Sequence, residues 1–282
     1  MSVPAAVPTT VAANGWAFTG FECGPPDGRT VLLLHGFPQT AASWAPVAAR
    51  LAEVGLRAVA LDQRGYSPDA RPLDVADYAL VHLVADAVGM IEALGGSVDL
   101  VGHDWGGVVG WQVAARHPGL VRTWTAVSTP NPLALNDVLA TDEQQRARFS
   151  YIRDFRQPGR AEAALLADDA AALRAFYGSA VAPERIDADT AFFAQPGVLT
   201  AALNWYRAMS LHDTDGLARV NVATSYVWGS ADMAFGRAAA ERSAAYVDAP
   251  YSFVALESAG HWLPDEAADT LAEEIAHRVL PE

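Results

Sequence analysis

Two spacings of hydrophobic residues alternate along this chain. Short continuous apolar runs bounded by turn-forming residues predict buried strands, and apolar positions that repeat every three or four residues predict amphipathic helices. The predicted helices cover residues 41–54, 78–94 and 106–116, and further helices follow the last two strands. The predicted strands cover residues 31–34, 57–61, 97–101, 121–127, 223–228 and 251–256. This alternation predicts an α/β fold with a doubly wound, mostly parallel sheet.

The alternation stops at residues 128–132 and resumes near residue 223. Between about residues 134 and 218 the segments are rich in Ala and Leu, have helical spacing, and contain no strand pattern. We therefore predict a helical cap, residues 131–215, inserted after the sixth strand into a core of residues 1–130 and 216–282. Such a cap would lie over the carboxyl ends of the strands, where ligands bind in sheets of this class.

Composition narrows the class of partner. The 282 residues are 51% hydrophobic and 18% charged, enough apolar material for a large core, and the net charge of −14 argues against nucleic acid and anionic membranes as partners. Residues 1–20 contain no Lys or Arg, and no segment has the ~18 charge-free apolar residues of a membrane span, so we expect a cytoplasmic protein without a signal peptide. The single cysteine, Cys23, is interpreted as a small buried hydrophobe, because it permits neither an internal disulfide nor a Cys-based metal site.

The most informative motif is Gly102-His103-Asp104-Trp105-Gly106, between a predicted strand and a predicted helix. This strand–turn–helix framework normally carries a nucleophilic serine. A carboxylate that attacks a saturated carbon forms an ester that water can cleave, whereas a serine would leave a stable ether. Asp104 is therefore the candidate nucleophile for opening a carbon–heteroatom bond. The alternative is that Asp104 only caps the following helix.

A nucleophile of this kind needs a base and an orienting acid, in the chain order nucleophile, acid, histidine. His261 lies in the loop after the last predicted strand and is the candidate base, with a surface loop histidine as the alternative. Asp232 follows strand 223–228 and is the candidate acid that would orient and stabilise the imidazolium. Loop 128–132, the rival position for the acid, contains no carboxylate. A solvated turn aspartate is the alternative for Asp232.

Two backbone amides are the candidate oxyanion hole. The loop His35-Gly36-Phe37-Pro38 follows the first long buried strand, and in this architecture that loop supplies one amide and the residue after the nucleophile supplies the other. This assigns the amides of Phe37 and Trp105. Five of the other six histidines are interpreted as non-catalytic, His35 and His103 as structural and His82, His117 and His277 in surface or core roles.

Taken together, these segments resemble the epoxide hydrolases of the α/β-hydrolase fold, in the branch whose nucleophile is an aspartate. The resemblance extends nearly from end to end. The matching segments are His35-Gly36-Phe37-Pro38, Asp62-Gln63-Arg64-Gly65-Tyr66, Gly102-His103-Asp104-Trp105-Gly106-Gly107, Trp228-Gly229 with Asp232, and Gly260-His261-Trp262. It implies that Asp104 attacks a ring carbon, that His261 activates water, and that a vicinal diol leaves without a metal or organic cofactor. The implied partners are a small-molecule epoxide and water.

The resemblance also assigns two cap tyrosines. Epoxide hydrolases of this family use such a pair to hydrogen-bond the epoxide oxygen, and the matching positions are Tyr206, in Asn204-Trp205-Tyr206-Arg207, and Tyr151. An epoxide is expelled as an alkoxide, which is costly near neutral pH, and a phenol of pKa about 10 can donate to it while staying protonated. Tyr177 is the alternative to Tyr151 if that helix is rotated, and aromatic packing is the alternative role for both.

The expected pocket is apolar and lined with aromatic residues, which suits a hydrophobic epoxide. The residues expected to contact substrate are Phe37, Trp105, Phe149, Trp205 and Trp262. A haloalkane or haloacid dehalogenase is the alternative function, because such enzymes share the fold and parts of the motifs. The haloalkane enzymes, however, pair the Trp after the nucleophile with a second lid Trp or with an Asn where Phe37 stands, and fluoroacetate dehalogenases have Arg in place of Trp105. A non-catalytic ligand-binding protein is a third hypothesis, against which the complete set of Asp104, Asp232 and His261 argues.

Overall fold

Eight strands form one sheet in a computed structural model of the chain, which describes residues 6–280. In chain order they are β1 (Val7–Ala13), β2 (Trp16–Cys23), β3 (Thr30–Leu34), β4 (Arg57–Leu61), β5 (Val98–His103), β6 (Val121–Val127), β7 (Thr224–Gly229) and β8 (Tyr251–Leu256). Their order across the sheet is β1-β2-β4-β3-β5-β6-β7-β8. The first two pairings are antiparallel and the others are parallel. The predicted mostly parallel α/β sheet is confirmed, and the chain ends, residues 1–5 and 281–282, lie outside the described residues.

Helices connect the strands on both faces of the sheet. In the sheet region these are α1 (Ala45–Glu53), α2 (Leu80–Ala93) and α3 (Trp105–Arg116). Six helices lie between β6 and β7: α4 (Pro132–Thr141), α5 (Glu143–Arg148), α6 (Ser150–Phe155), α7 (Arg160–Ala175, broken at residues 167–170), α8 (Pro183–Phe193) and α9 (Val198–Ala208). The helices after β7 are α10 (Arg237–Arg242), α11 (Leu263–Glu266) and α12 (Ala268–Val279). Within residues 6–280 no helix combines the length and the apolar character that a membrane crossing requires.

The N-terminal hairpin of β1 and β2 was not among the predicted strands. It pairs antiparallel at the edge of the sheet, and every residue of β1 except Val11 and Ala13 is at least partly exposed, so no continuous apolar run marks it. The turn does carry a signal. Asn14 and Gly15 both have positive φ, 49° and 81°, and an Asn-Gly pair between two strands is typical of a tight hairpin turn.

The core is divided by the sheet into two layers. Successive residues of β3 point to opposite faces, so Leu32 and Leu34 pack with α2 and α3, whereas Val31 and Leu33 pack with α1 and α12. All four are fully buried. Because helices cover both faces, β3 is almost wholly apolar, and ligands in sheets of this class bind at the carboxyl ends of the strands.

Asp99 fixes the start of β5, the strand that leads to Asp104. Its buried carboxylate accepts two hydrogen bonds from Arg29 at 2.7 and 2.8 Å, and others from Arg122 at 2.9 Å and from Thr123 at 2.8 Å. These donors come from the chain just before β3 and from β6, the two strands that flank β5. One carboxylate therefore ties three neighbouring strands together at the end of the sheet opposite Asp104.

We expect the substitution Asp99→Ala to lower the free energy of unfolding by about 3 kcal/mol, because it leaves two arginines at a buried site without their counter-charge. The arginine side chains are 37% and 31% exposed, which holds the cost at the lower end of the range for such pairs. The measurement is equilibrium unfolding in urea. Asp248→Ala is the matched control, because it breaks an ion pair with Arg219 that is about half exposed on both sides, and it should cost less than about 1 kcal/mol. Equal losses in the two variants would contradict the anchoring role.

Candidate active site

Asp104 lies in a strained turn between β5 and α3. Its φ of 52° and ψ of −118° are unusual for a residue with a side chain, and its neighbours must approach closely. A Cβ atom at Gly102 would lie 2.2 Å from the carbonyl oxygen of Gly106, and a Cβ atom at Gly106 would lie 2.2 Å from that of Leu34. Both positions therefore require glycine, and the turn projects the Asp104 side chain beyond the carboxyl end of the sheet.

The carboxylate of Asp104 has two different oxygens. Oδ1 accepts the backbone N–H of Phe37 at 2.8 Å, and Oδ2 lies 3.6 Å from Nε2 of His261. Gly36 allows the Phe37 loop this close, because a Cβ atom there would lie 2.3 Å from the Cβ of Asp104. Burial alone would raise the pKa of Asp104, but the hydrogen bond and charge of His261 outweigh it and hold the pKa below its usual range.

His261 lies between two carboxylates. Its Nδ1 is 2.9 Å from Oδ2 of Asp232, whose other oxygen accepts the backbone N–H groups of Ala234 at 2.7 Å and Phe235 at 2.9 Å. The side chains of His261 and Asp232 are 4% and 0% exposed. Burial lowers the pKa of His261, but the charge of Asp232 and the interaction with Asp104 outweigh it and raise the pKa to about 10. With Asp104 ionised, the imidazole is therefore positively charged at neutral pH.

The backbone of His261 is held by two residues whose specific roles the sequence did not predict. The ring Nε2 of His103 and the hydroxyl of Ser128 each lie 2.8 Å from the carbonyl oxygen of His261. Because a carbonyl only accepts hydrogen bonds, His103 carries its proton on Nε2. Burial, with the nearby charge of His261, lowers the pKa of His103 to about 4, so it remains a neutral donor. His103 was predicted to be structural, and this contact fits that interpretation.

The carboxylate and the imidazole face a narrow cavity between the sheet and the helices of residues 132–208. Its volume is about 20 Å³, the space of roughly one water molecule. Apart from Asp104 and His261, the side chains that line it are Phe37, Tyr151, Phe155, Phe176, Tyr206, Met233, Ala234 and Trp262. Apart from Asp104 and His261, the cavity lining is thus apolar and aromatic, with Tyr151 and Tyr206 as the two side chains that carry a polar group.

Tyr206 and Tyr151 lie side by side, with ring centroids 6.3 Å apart. Burial raises the pKa of Tyr206 well above its usual range, and the neighbouring Tyr151 and the charge of Asp104 add to this effect. Burial and Asp104 also raise the pKa of Tyr151 above its usual range. Both hydroxyls are therefore protonated donors throughout the physiological pH range, and both lie close enough to Asp104 for its charge to act on them.

Several predicted residues lie outside the cavity lining. Trp105 packs edge-on against Tyr206 and Trp205 at 5.1 and 5.4 Å, and Trp205 donates its indole N–H to the carbonyl oxygen of Arg64 at 2.8 Å. Phe149 packs on Phe235 at 5.6 Å on the outer side of the cap helices. As the first residue of α3, Trp105 has an amide that its own helix cannot satisfy. Of the five residues expected to contact substrate, Phe37 and Trp262 line the cavity.

Tyr177, the alternative to Tyr151, is also outside the cavity. Its hydroxyl donates to the carbonyl oxygen of Pro38 and lies 3.2 Å from Oδ2 of Asp189. The cavity-lining residues Phe155, Phe176, Met233 and Ala234 were not predicted. They come from α6, from the end of α7 and from the Asp232 loop, so only the packed structure brings them together.

A wider groove of about 530 Å³ runs along α2 and α3. Among its lining residues, Arg116 donates to Gln112 at 2.8 Å and to the carbonyl oxygen of Asp215 at 3.0 Å, and His212 pairs with Asp215 at 2.9 Å. The pair of His212 and Asp215 differs from the pair in the smaller cavity because both side chains are largely exposed, 85% and 70%. Within residues 6–280 no three His, Cys, Asp or Glu side chains converge as they would to hold a metal ion.

Comparison with known proteins agrees with this geometry. Residues 31–274 match the alpha/beta hydrolase family. Epoxide hydrolase A of Mycobacterium tuberculosis is 31% identical over an alignment that covers 91% of this chain and 92% of that protein. Among solved structures, epoxide hydrolase VrEH1 from Vigna radiata is 29% identical with a TM-score of 0.83, covering 97% of this chain and 98% of that one. Epoxide Hydrolase A from Mycobacterium thermoresistibile is 26% identical with a TM-score of 0.86, covering 98% and 99%. The chain therefore belongs to the alpha/beta hydrolase family, in its branch of epoxide hydrolases.

Proposed function

We propose that this chain hydrolyses a hydrophobic epoxide to a vicinal diol through an ester formed on Asp104. The observation that carries the proposal is one cavity in which the free oxygen of Asp104, the imidazole of His261 and the phenols of Tyr151 and Tyr206 all face the same space. The names of the relatives support the substrate class. In this proposal residues 131–215 act as a cap that excludes bulk water from the site.

In the first step, the epoxide oxygen accepts hydrogen bonds from Tyr151 and Tyr206 while Asp104 attacks a ring carbon from the opposite side. Oδ2 is the attacking oxygen, because Oδ1 is already held by the Phe37 amide. The bond from Oδ2 to carbon forms as the ring carbon–oxygen bond breaks. The phenols stabilise the developing alkoxide, which is the unfavourable part of the reaction near neutral pH.

In the second step, His261 activates the water that cleaves the ester. Ester formation removes the negative charge of Asp104, one of the groups that raise the pKa of His261, so the imidazole releases its proton more easily. That proton neutralises the alkoxide left by ring opening. The neutral imidazole then takes a proton from water as the water oxygen bonds to Cγ of Asp104, and Asp232 stabilises the imidazolium that forms. The Cγ–Oδ2 bond then breaks and the imidazolium returns its proton to the departing oxygen of the diol. The amides of Phe37 and Trp105 hold the oxyanion on Oδ1 until the diol leaves.

The rival function, dehalogenation, would use the same Asp104, His261 and Asp232. Two features favour the epoxide. A halide is a good leaving group that needs no proton donor, yet the cavity holds two phenols opposite the nucleophile. The Trp105 indole, which would face a halide in a haloalkane dehalogenase, packs edge-on against the ring of Tyr206. Measuring diol against released halide separates the two functions.

We expect the variant His261→Gln to accumulate the ester, seen as a mass increase equal to that of the substrate on the peptide containing Asp104, because water is no longer activated. Asp104→Asn should show no adduct. His82→Gln changes an exposed histidine on α2 and is the matched control, expected to turn over normally. In a single turnover in ¹⁸O-water, the label should appear first on Asp104. Label that enters the diol directly would exclude the ester.

We expect Tyr206→Phe to slow ester formation from an epoxide by about 10²-fold, at the lower end of the contribution of a general acid, because Tyr151 remains as a second donor. Any turnover of a haloalkane should change little. Tyr251→Phe is the control, because the buried Tyr251 hydroxyl has no hydrogen-bond partner among the described residues. Rates come from rapid quench and mass spectrometry. Equal losses on the two substrate classes would argue against the proposed role of Tyr206.

The pH dependence of ester formation tests the pairing of Asp104 with His261. Only ionised Asp104 can attack, and its lowered pKa should keep ester formation at its full rate at pH values below the usual carboxyl pKa of about 4. In His261→Gln the effect of burial, which raises the pKa of Asp104, loses its largest opposing contributions, and the Phe37 hydrogen bond and His103 remain. The acid limb of the rate of ester formation should therefore move to higher pH in this variant. An unchanged limb would show that His261 does not keep Asp104 ionised.

A further inference from the structure

One residue of the helical insertion touches both catalytic loops. The hydroxyl of Tyr177, just after α7, donates to the carbonyl oxygen of Pro38, which is adjacent to the Phe37 amide on Asp104. The ring of Tyr177 packs against Trp262, the residue after His261, at a centroid distance of 5.3 Å and an angle of 34°. Tyr177 is 1% exposed, so this contact is part of a closed interface between the inserted helices and the sheet.

The hydroxyl of Tyr177 has a single proton and lies near two possible acceptors, the carbonyl oxygen of Pro38 and the carboxyl group of Asp189. A carbonyl oxygen can only accept, so the single phenolic proton lies on the hydrogen bond to Pro38. Oδ2 of Asp189 lies 3.2 Å from the same phenolic oxygen, so an ionised Asp189 competes with Pro38 for that proton, whereas a protonated Asp189 can donate to Tyr177. Asp189 is 2% exposed and forms no ion pair among the described residues. In its neutral form the Asp189 carboxyl can donate to Tyr177, which in turn donates to Pro38.

The charges around Asp189 are consistent with a neutral carboxyl. Burial raises the pKa of Asp189 to about 7; the charge of Arg185 and the hydrogen bond of Tyr177 oppose this rise, and Asp265 and Asp62 add to it. Tyr66 is the other titratable group that Asp189 affects. When Asp189 ionises, it competes with the Pro38 carbonyl for the single proton of Tyr177, and the link to the Phe37 loop weakens.

The Phe37 amide acts differently in the two chemical steps. In ester formation Asp104 loses its charge, so a donor on Oδ1 stabilises the starting carboxylate more than the transition state. In ester hydrolysis negative charge develops on the same oxygen, so the donor stabilises the transition state. A small displacement of the amide should therefore slow hydrolysis of the ester and leave its formation nearly unchanged.

We propose that Tyr177 and neutral Asp189 are positioning residues that hold the Phe37 amide on Asp104 for hydrolysis of the ester. This inference rests on the proposed ester mechanism. It adds a link between the inserted helices and the oxyanion hole, because Tyr177 belongs to the insertion and Pro38 to the loop that carries the amide.

The test is Tyr177→Phe, which keeps the ring on Trp262 and removes only the hydroxyl. Loss of a whole oxyanion donor costs about 10²–10³-fold, so a displaced donor should slow ester hydrolysis by about tenfold. Ester formation should change by less than about twofold, and the ester should accumulate in the steady state. Tyr78→Phe is the matched control, because the hydroxyl of buried Tyr78 donates to the carbonyl oxygen of Pro72 at 2.7 Å, away from the cavity. Equal slowing of both steps, or the same change in Tyr78→Phe, would overturn the proposal.

Asp189→Asn tests the second link. The carboxamide donates to Tyr177 as the neutral acid does, but it cannot ionise. Hydrolysis of the ester should match the parent protein below the pKa of Asp189 and exceed it above that pKa, and the double variant with Tyr177→Phe should behave as Tyr177→Phe does at every pH. Profiles that do not differ would overturn the link. If ester accumulates in His261→Gln while Tyr177→Phe forms and hydrolyses the ester at the parent rates, only this inference fails. If no ester accumulates in His261→Gln, the proposed function fails with it.

Discussion

The site depends on one buried imidazolium held between two carboxylates. His261 is 3.6 Å from Asp104 and 2.9 Å from Asp232, and all three side chains are at least largely buried. The positive charge keeps Asp104 ionised where burial alone would favour its neutral form. A carboxylate in an apolar cavity is reactive because little water solvates it, and the ion pair with His261 offsets the free-energy cost of burying its charge. Any change that neutralises Asp104 also lowers the pKa of His261, which then releases its proton more easily.

The fold meets this constraint with groups that are fixed before a ligand binds. Parallel strands end at one edge, so Asp104 after β5 and Asp232 after β7 come together although they are far apart in sequence. The strained turn aims Asp104 at the cavity, and His103 and Ser128 hold the backbone of His261 from below. The phenols come from the inserted helices, a separate part of the chain. The packing of those helices on the sheet therefore completes the cavity.

Local sequence patterns were enough to predict the parallel strands, the turn and the grouping of Asp104, Asp232 and His261. Each of these depends on a few neighbouring residues with a fixed steric or chemical role, such as the glycines on either side of Asp104. The cavity lining could not be predicted in this way. Phe155 and Phe176 face the cavity because of how α6 and α7 pack, whereas the equally aromatic Phe149 faces outward. The same limit applies to Tyr177, whose hydroxyl direction depends on the Pro38 loop.

Three buried carboxyl groups near the cavity differ by the donors that surround them. Asp232 has one oxygen on two backbone amides and the other on His261, so neither oxygen is free to attack a ligand. Asp104 has an amide on one oxygen and only the longer contact with His261 on the other, which leaves that oxygen available. Asp189 meets a single hydroxyl that it shares with the Pro38 carbonyl, and burial raises its pKa. The count and direction of donors therefore distinguish the proposed orienting acid, the proposed nucleophile and the proposed positioning residue among otherwise identical side chains.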